Sequence, residues 1–166
     1  MRVSLKVSAI LAASGALLAT AAMAQPGQAP SGVTVAKCTD LKNVLVVNST
    51  DPESTSSSVY VDFPGTLVHF TTTKPGCVIG TFSSPANPLN DTIFVQMELD
   101  SPASCLPNGD DFPNRFATGQ AQLTANSMTY LCPDVQPGKH VIRVQWKSDF
   151  GTLVILDGFT MTVAHH

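Results

Sequence analysis

Glu98-Leu99-Asp100 places two carboxyls two residues apart, on one face of an extended strand. Such a pair can supply the acid and the nucleophile of a glycosidase, which must flank a single glycosidic bond. In β-sandwich glycosidases the alternation runs on to a third acidic residue, whereas here Ser101-Pro102 interrupts it. The pair therefore reads first as the polar outer side of a strand, with a hydrolase on Glu98 and Asp100 as an alternative. His69 and His140 are accompanied by neither a G-x-S-x-G elbow nor an H-E-x-x-H pair, so they read as packed or surface histidines. No nucleophile–base constellation emerges, and no catalytic residue is expected.

Oxygen ligands concentrate at Asp110-Asp111 beside Asn108, with Asp100 and Asn114 nearby. Calcium takes roughly six to eight hard oxygens, often from such loops. The spacing fits no EF-hand or nonapeptide repeat, so an acidic turn-rich loop is expected, with no metal and no cofactor. Gln96 and Arg143 both fall on the polar phase of their strands, and neighbouring strands would bring Arg143 opposite Glu98. A polar strip of that kind can recognise a glycan or another subunit, and ordinary solvated sheet is the plainer reading. Phe112, Phe116 and Phe150 sit in loop sequence and are the candidate exposed aromatics, whereas Trp146 alternates with Ile142 and Val144 and belongs to a core. Asn48-Ser49-Thr50 and Asn90-Asp91-Thr92 match the glycosylation pattern, which short Ser/Thr-rich sequences produce readily.

The elements that must position these groups begin with an address. Arg2 and Lys6 precede an apolar run from Val7 to Ala21, and Ala22-Met23-Ala24 supplies the small-x-small pattern of a signal-peptidase site. Residues 1–24 therefore read as a signal peptide and 25–32 as a flexible lead. A β-sandwich domain is expected over 33–164, outside the cytosol, secreted or periplasmic. Removal of the signal leaves 142 residues and moves the formal charge from −3 to −5, against nucleic acid or an anionic membrane as partner. No later apolar run is long enough to span a bilayer.

Beyond the lead, short apolar stretches alternate with turn residues. Strands are expected at Val33–Lys37, Val44–Val47, Val59–Phe63, Leu67–Thr72, Cys77–Phe82, Thr92–Leu99, Ala121–Leu131 and Lys139–Lys147. Asn48–Ser58, Ser83–Asp91 and Asp100–Gly119 read as loops. Asp157-Gly158 is the strongest hairpin signal, turning Thr152–Leu156 onto Phe159, Met161 and Val163. In Thr92–Leu99 the odd positions face a core and leave Gln96 and Glu98 outside. No helical period appears. The fold class is all-β: an antiparallel two-sheet sandwich of jelly-roll or related Greek-key topology.

Cys38, Cys77, Cys105 and Cys132 allow three pairings. Each lies at a strand end beside a turn, and the preferred set is Cys38–Cys77 with Cys105–Cys132. Each bridge would close a loop worth about 3.5–4 kcal/mol on the chain-entropy account.

The runs Cys77-Val-Ile-Gly-Thr-Phe-Ser-Ser, Phe94-Val-Gln-Met-Glu-Leu-Asp100 and Cys132-Pro-Asp-Val-Gln-Pro-Gly-Lys-His-Val-Ile-Arg-Val-Gln-Trp-Lys147 resemble a group of small exported bacterial proteins. Those share a Pro-Gly-x-His-x-Val-x-Val-Gln-Trp stretch and a closing strand like Thr160–Val163. The resemblance covers most of residues 38–163. It implies a jelly-roll or tumour-necrosis-factor-like sandwich, a bacterial origin and the Cys105–Cys132 pairing, and it transfers no functional residue. The expected function is an exported non-enzymatic module for binding or assembly, as a homo-oligomer or, alternatively, as a carbohydrate-binding domain.

Overall fold

The computed structural model describes residues 38, 40–100, 105–107, 114–119 and 121–166. The expected signal peptide, lead and Val33–Lys37 strand lie outside the described residues, as do Phe112, Asn108 and the Asp110-Asp111 pair. Among the described residues nine strands follow in order: β1 (Asn43–Thr55), β2 (Val61–Asp62), β3 (Val68–Thr72), β4 (Gly76–Asn87), β5 (Thr92–Leu99), β6 (Arg115–Thr118), β7 (Thr124–Val135), β8 (Gly138–Ser148) and β9 (Val154–His165). They form two antiparallel sheets. One is four-stranded in the order β1-β9-β4-β7, and the other runs β2-β8-β5-β6 with β3 also paired to β8. The fold class is therefore an all-β sandwich, and both preferred disulfides, Cys38–Cys77 and Cys105–Cys132, are formed. Two disulfides suit folding in an oxidising environment.

Period-2 patterning decides which side of each strand is buried. On β8, His140, Ile142, Val144 and Trp146 point inward, and Val141, Arg143, Gln145 and Lys147 alternate with them. Phe63, just after β2, lies between the sheets, its ring 4.8 Å from Trp146, 5.4 Å from Phe82 and 5.3 Å from Phe159. Offset and edge-on contacts of this kind add to the burial of large aromatic areas. Gly80 on β4 lets Met97 of β5 come close across the sandwich, because a Cβ there would strike the Met97 sulfur.

Four expectations are corrected. The Ser-rich stretch after Val47 does not loop out, since β1 continues to Thr55 paired with β9. An edge strand needs partners on one side only, so its outward positions tolerate polar residues while Leu45 and Val47 pack on the core. The Ser83–Asp91 loop is likewise shortened, with β4 reaching Asn87. Asp157-Gly158 makes no hairpin: β9 runs straight through, and the glycine (φ +75°) forms a bulge where the β1 and β4 registers both shift. Flanking segments that each find other partner strands have no need to pair with one another. Finally, part of the 100–119 loop is strand β6. Phe116 there is buried against Phe82 at 5.5 Å, which removes it as an exposed aromatic.

Candidate functional site

The outward face of the five-stranded sheet gathers the charged and amide side chains of β2, β8 and β5. Register places Glu98 opposite Arg143, Gln96 opposite Gln145, and Asp62 opposite Gln145 on its other side. The Arg143 guanidinium donates to one Glu98 oxygen from Nε at 2.9 Å and from Nη2 at 2.7 Å, and it reaches Asp62 from Nη1 at 3.4 Å. Held between two carboxylates, its proton is bound more tightly than usual, with the Glu98 hydrogen bond the main cause. Gln96 Nε2 donates to Gln145 Oε1 at 2.8 Å, and Gln145 Nε2 donates to Asp62 Oδ1 at 2.8 Å. The row therefore relays donor to acceptor across three strands. At its end the Lys147 ammonium lies over the rings of Tyr60 (4.9 Å) and Phe94 (5.3 Å), a cation–π arrangement.

Both polar residues that the sequence places on this face of β5, Gln96 and Glu98, are there. They are nonetheless only 8% exposed each, because β8 and its side chains close over a central strand. The Glu98–Arg143 pair forms as its register requires. Glu98 and Asp100 do not act together. Asp100 takes a left-handed backbone (φ +61°) that ends the alternation, and its carboxylate turns to His140.

That second cluster joins β3, β5 and β8. Asp100 Oδ2 lies 2.6 Å from His140 Nδ1, and its Oδ1 accepts from the Val141 N–H at 2.8 Å. His140 Nε2 is 2.9 Å from the Thr72 hydroxyl and 2.8 Å from the Gln136 carbonyl, to which Thr72 also donates at 2.9 Å. A carboxylate, an imidazole and a hydroxyl in series resemble the order of a hydrolytic triad. Thr72 is 2% exposed, however, and its hydroxyl is committed to Gln136, so no substrate carbonyl can approach it. The cluster ties the β7–β8 turn to β3 and β5. Hollows of about 310 and 290 Å³ border His140, one beside His69 and the other beside Asp134 and Gln136.

Sequence reading missed a third group. Asp91 is buried at the start of β5 and accepts hydrogen bonds from the Ser148 hydroxyl (2.7 Å), the Thr152 hydroxyl (2.6 Å) and the Thr92 N–H (2.6 Å). The Phe150 and Thr152 N–H groups add longer contacts. Burial alone would push this carboxyl up, but the hydroxyls of Thr152 and Ser148 and the backbone donors outweigh it and hold it at about 2. An acidic residue just before a strand, with Ser and Thr near a distant turn, was the only sequence signal. Asp91 holds the β8–β9 turn on which Phe150 is 76% exposed, as its loop position predicts. Trp146 lies in the core, as its alternation predicts.

Among the described residues no group of three or more His, Cys, Asp or Glu is placed to hold a metal ion. Among them, too, no helix is long and apolar enough to cross a membrane. No family model matches the chain, and no curated protein matches its sequence.

Proposed function

We propose that this chain is an exported, non-enzymatic binding module that engages its ligand through the outward face of the five-stranded sheet. The observation that carries this reading is the concentration of charged and amide side chains on that one face. Asp62, Glu98, Arg143 and Lys147 share one outer face. The paired rows on the other are Thr81–Thr129 with Thr162 and Ser83–Ser127 with Thr160, which are uncharged. A preorganised row of amides, carboxylates and a guanidinium beside aromatic rings suits a ligand rich in hydroxyls or amides, and a glycan is the first class to test. The strand orders β1-β9-β4-β7 and β2-β8-β5-β6 support reading the sandwich as a jelly roll. The resemblance to small exported bacterial proteins, the signal-like residues 1–24 and the two bridges support a secreted or periplasmic address. A glycan array probed with wild type and with Gln145→Ala tests the face, with binding lost in the variant. A wild type that binds no glycan and no other hydroxyl-rich ligand would remove this reading.

Assembly is the second reading, favoured by Val44 (60% exposed) and Val46 (62% exposed) on edge strand β1. Bare edges pair readily with another chain. Size-exclusion light scattering showing a dimer that Val46→Lys converts to monomer is the expected result, and a strict monomer would remove it.

A further inference from the structure

A hollow of about 430 Å³ lies on the opposite sheet, where the β9 bulge interrupts the rows of hydroxyls. Gly158 creates it. Its left-handed backbone (φ +75°) brings β9 so close to β1 that a Cβ would stand 2.7 Å from the Ser49 carbonyl oxygen and 3.2 Å from the Thr50 Cα. Its own carbonyl accepts from the buried Ser84 hydroxyl at 2.6 Å, which fixes the bulge from beneath. Bulges commonly re-aim side chains beside binding sites.

The lining has a definite chemistry. Ser49 Oγ accepts from the Asp51 N–H at 3.1 Å, which leaves its O–H available to donate. Ser83 donates to Ser127 at 2.8 Å, which leaves its oxygen to accept. Asn126 spends its amide N–H groups on Thr124 and presents its carbonyl. Asp157 adds a carboxylate, the one charged group in the lining. Pro85 and Ala125, paired across β4 and β7, supply a small apolar floor. Outward donors and acceptors around an apolar patch match a pyranose ring, whose hydroxyls ring its periphery and whose C–H face is apolar. A single carboxylate repels anions and is too few hard ligands for a calcium ion. The volume falls in the usual ligand range of roughly 300–1,000 Å³.

We propose that this depression is a saccharide subsite for a neutral pyranose unit, second to the polar face of the five-stranded sheet. It rests on the binding-module reading but not on that face. The test is amide-resolved NMR titration of the full chain with glucose, mannose, galactose and N-acetylglucosamine, each against glucuronate. The expected result is saturable perturbation at Thr50, Asn126, Gly158 and Thr160 by at least one neutral sugar, with glucuronate inactive. Asn126→Ala, at a half-buried position, and Asp157→Ala, at an exposed one, should each weaken it about tenfold or more at an unchanged melting temperature. No saturable shift with any sugar would overturn the proposal, as would equal binding of glucuronate. Perturbation confined to Gln96, Arg143 and Gln145 would also overturn it while leaving the five-stranded face standing.

Discussion

The Tyr130 hydroxyl, on β7, donates to the Val95 carbonyl, on β5, at 2.7 Å, a hydrogen bond that crosses from one sheet to the other through the core. Tyr130 is fully buried, and burial, with Tyr60 nearby, raises its hydroxyl pKa well above the ordinary phenol value. The neutral O–H is thus available as a donor throughout the working pH range. Tyr130 also pairs with Gly80 in the β4–β7 register. Tyr130→Phe keeps the ring and orphans the Val95 carbonyl. A loss of about 1–2 kcal/mol is expected in chemical denaturation, with an unchanged m-value.

Asp91 makes stability depend on acid. Its folded pKa of about 2 lies below the ordinary 3.8, so its contribution is fully present above pH 4. It is lost as pH falls from there through 2, and amounts to roughly 2 kcal/mol. Denaturation curves at pH 6 and pH 2.5 should differ more in wild type than in Asp91→Asn. An equal acid loss in the variant would refute this role.

Gly158→Ala meets the Ser49 carbonyl at the bulge and must also adopt a left-handed backbone. The backbone conformation alone costs about 1–2 kcal/mol, and the contact adds to it. A fall in melting temperature of several degrees is expected. Gly119→Ala has a positive φ but nothing within 4 Å, so it separates the two contributions: it should cost the conformational part only.

Glu98 and Arg143 form a pair whose acid is 10% and whose base is 31% exposed. A double-mutant cycle on Glu98→Gln and Arg143→Met should return a coupling of about 1 kcal/mol, at the top of the usual range for fully exposed pairs. Zero coupling would show that Asp62 alone holds the guanidinium.

Strands β5 and β8 were legible because the near-alternation of Val95-Gln-Met-Glu-Leu99 and Ile142-Arg-Val-Gln-Trp146 leaves one way to bury the apolar side. The pairing of Cys105 with Cys132 was legible, although Cys132 lies within β7 rather than at its end, because β7 runs on to Val135. What escaped reading were the relationships between distant residues. Asp100 and His140 lie forty positions apart, and only the β5–β8 register brings them together. Asp91 gathers donors from a turn nearly sixty positions later. The Asp157-Gly158 signal is real local chemistry, a glycine in a left-handed conformation. Whether such a residue turns a chain back or bulges a continuous strand depends on which partners flank it, and β1 and β4 were already there. Phe116 looked loop-borne because β6 spans four residues inside a Pro- and Asp-rich stretch.

In the four-stranded sheet, β9 lies between β1 and β4. The last of the described strands therefore sits centrally, and among the described residues the sheet pairing of β1 starts from Thr55 with Val154, 99 positions later. Such long-range closure is slow. The four-stranded sheet therefore cannot close on β1 until β9 has been made, and its completion belongs to the late, long-range part of folding rather than to local pairing.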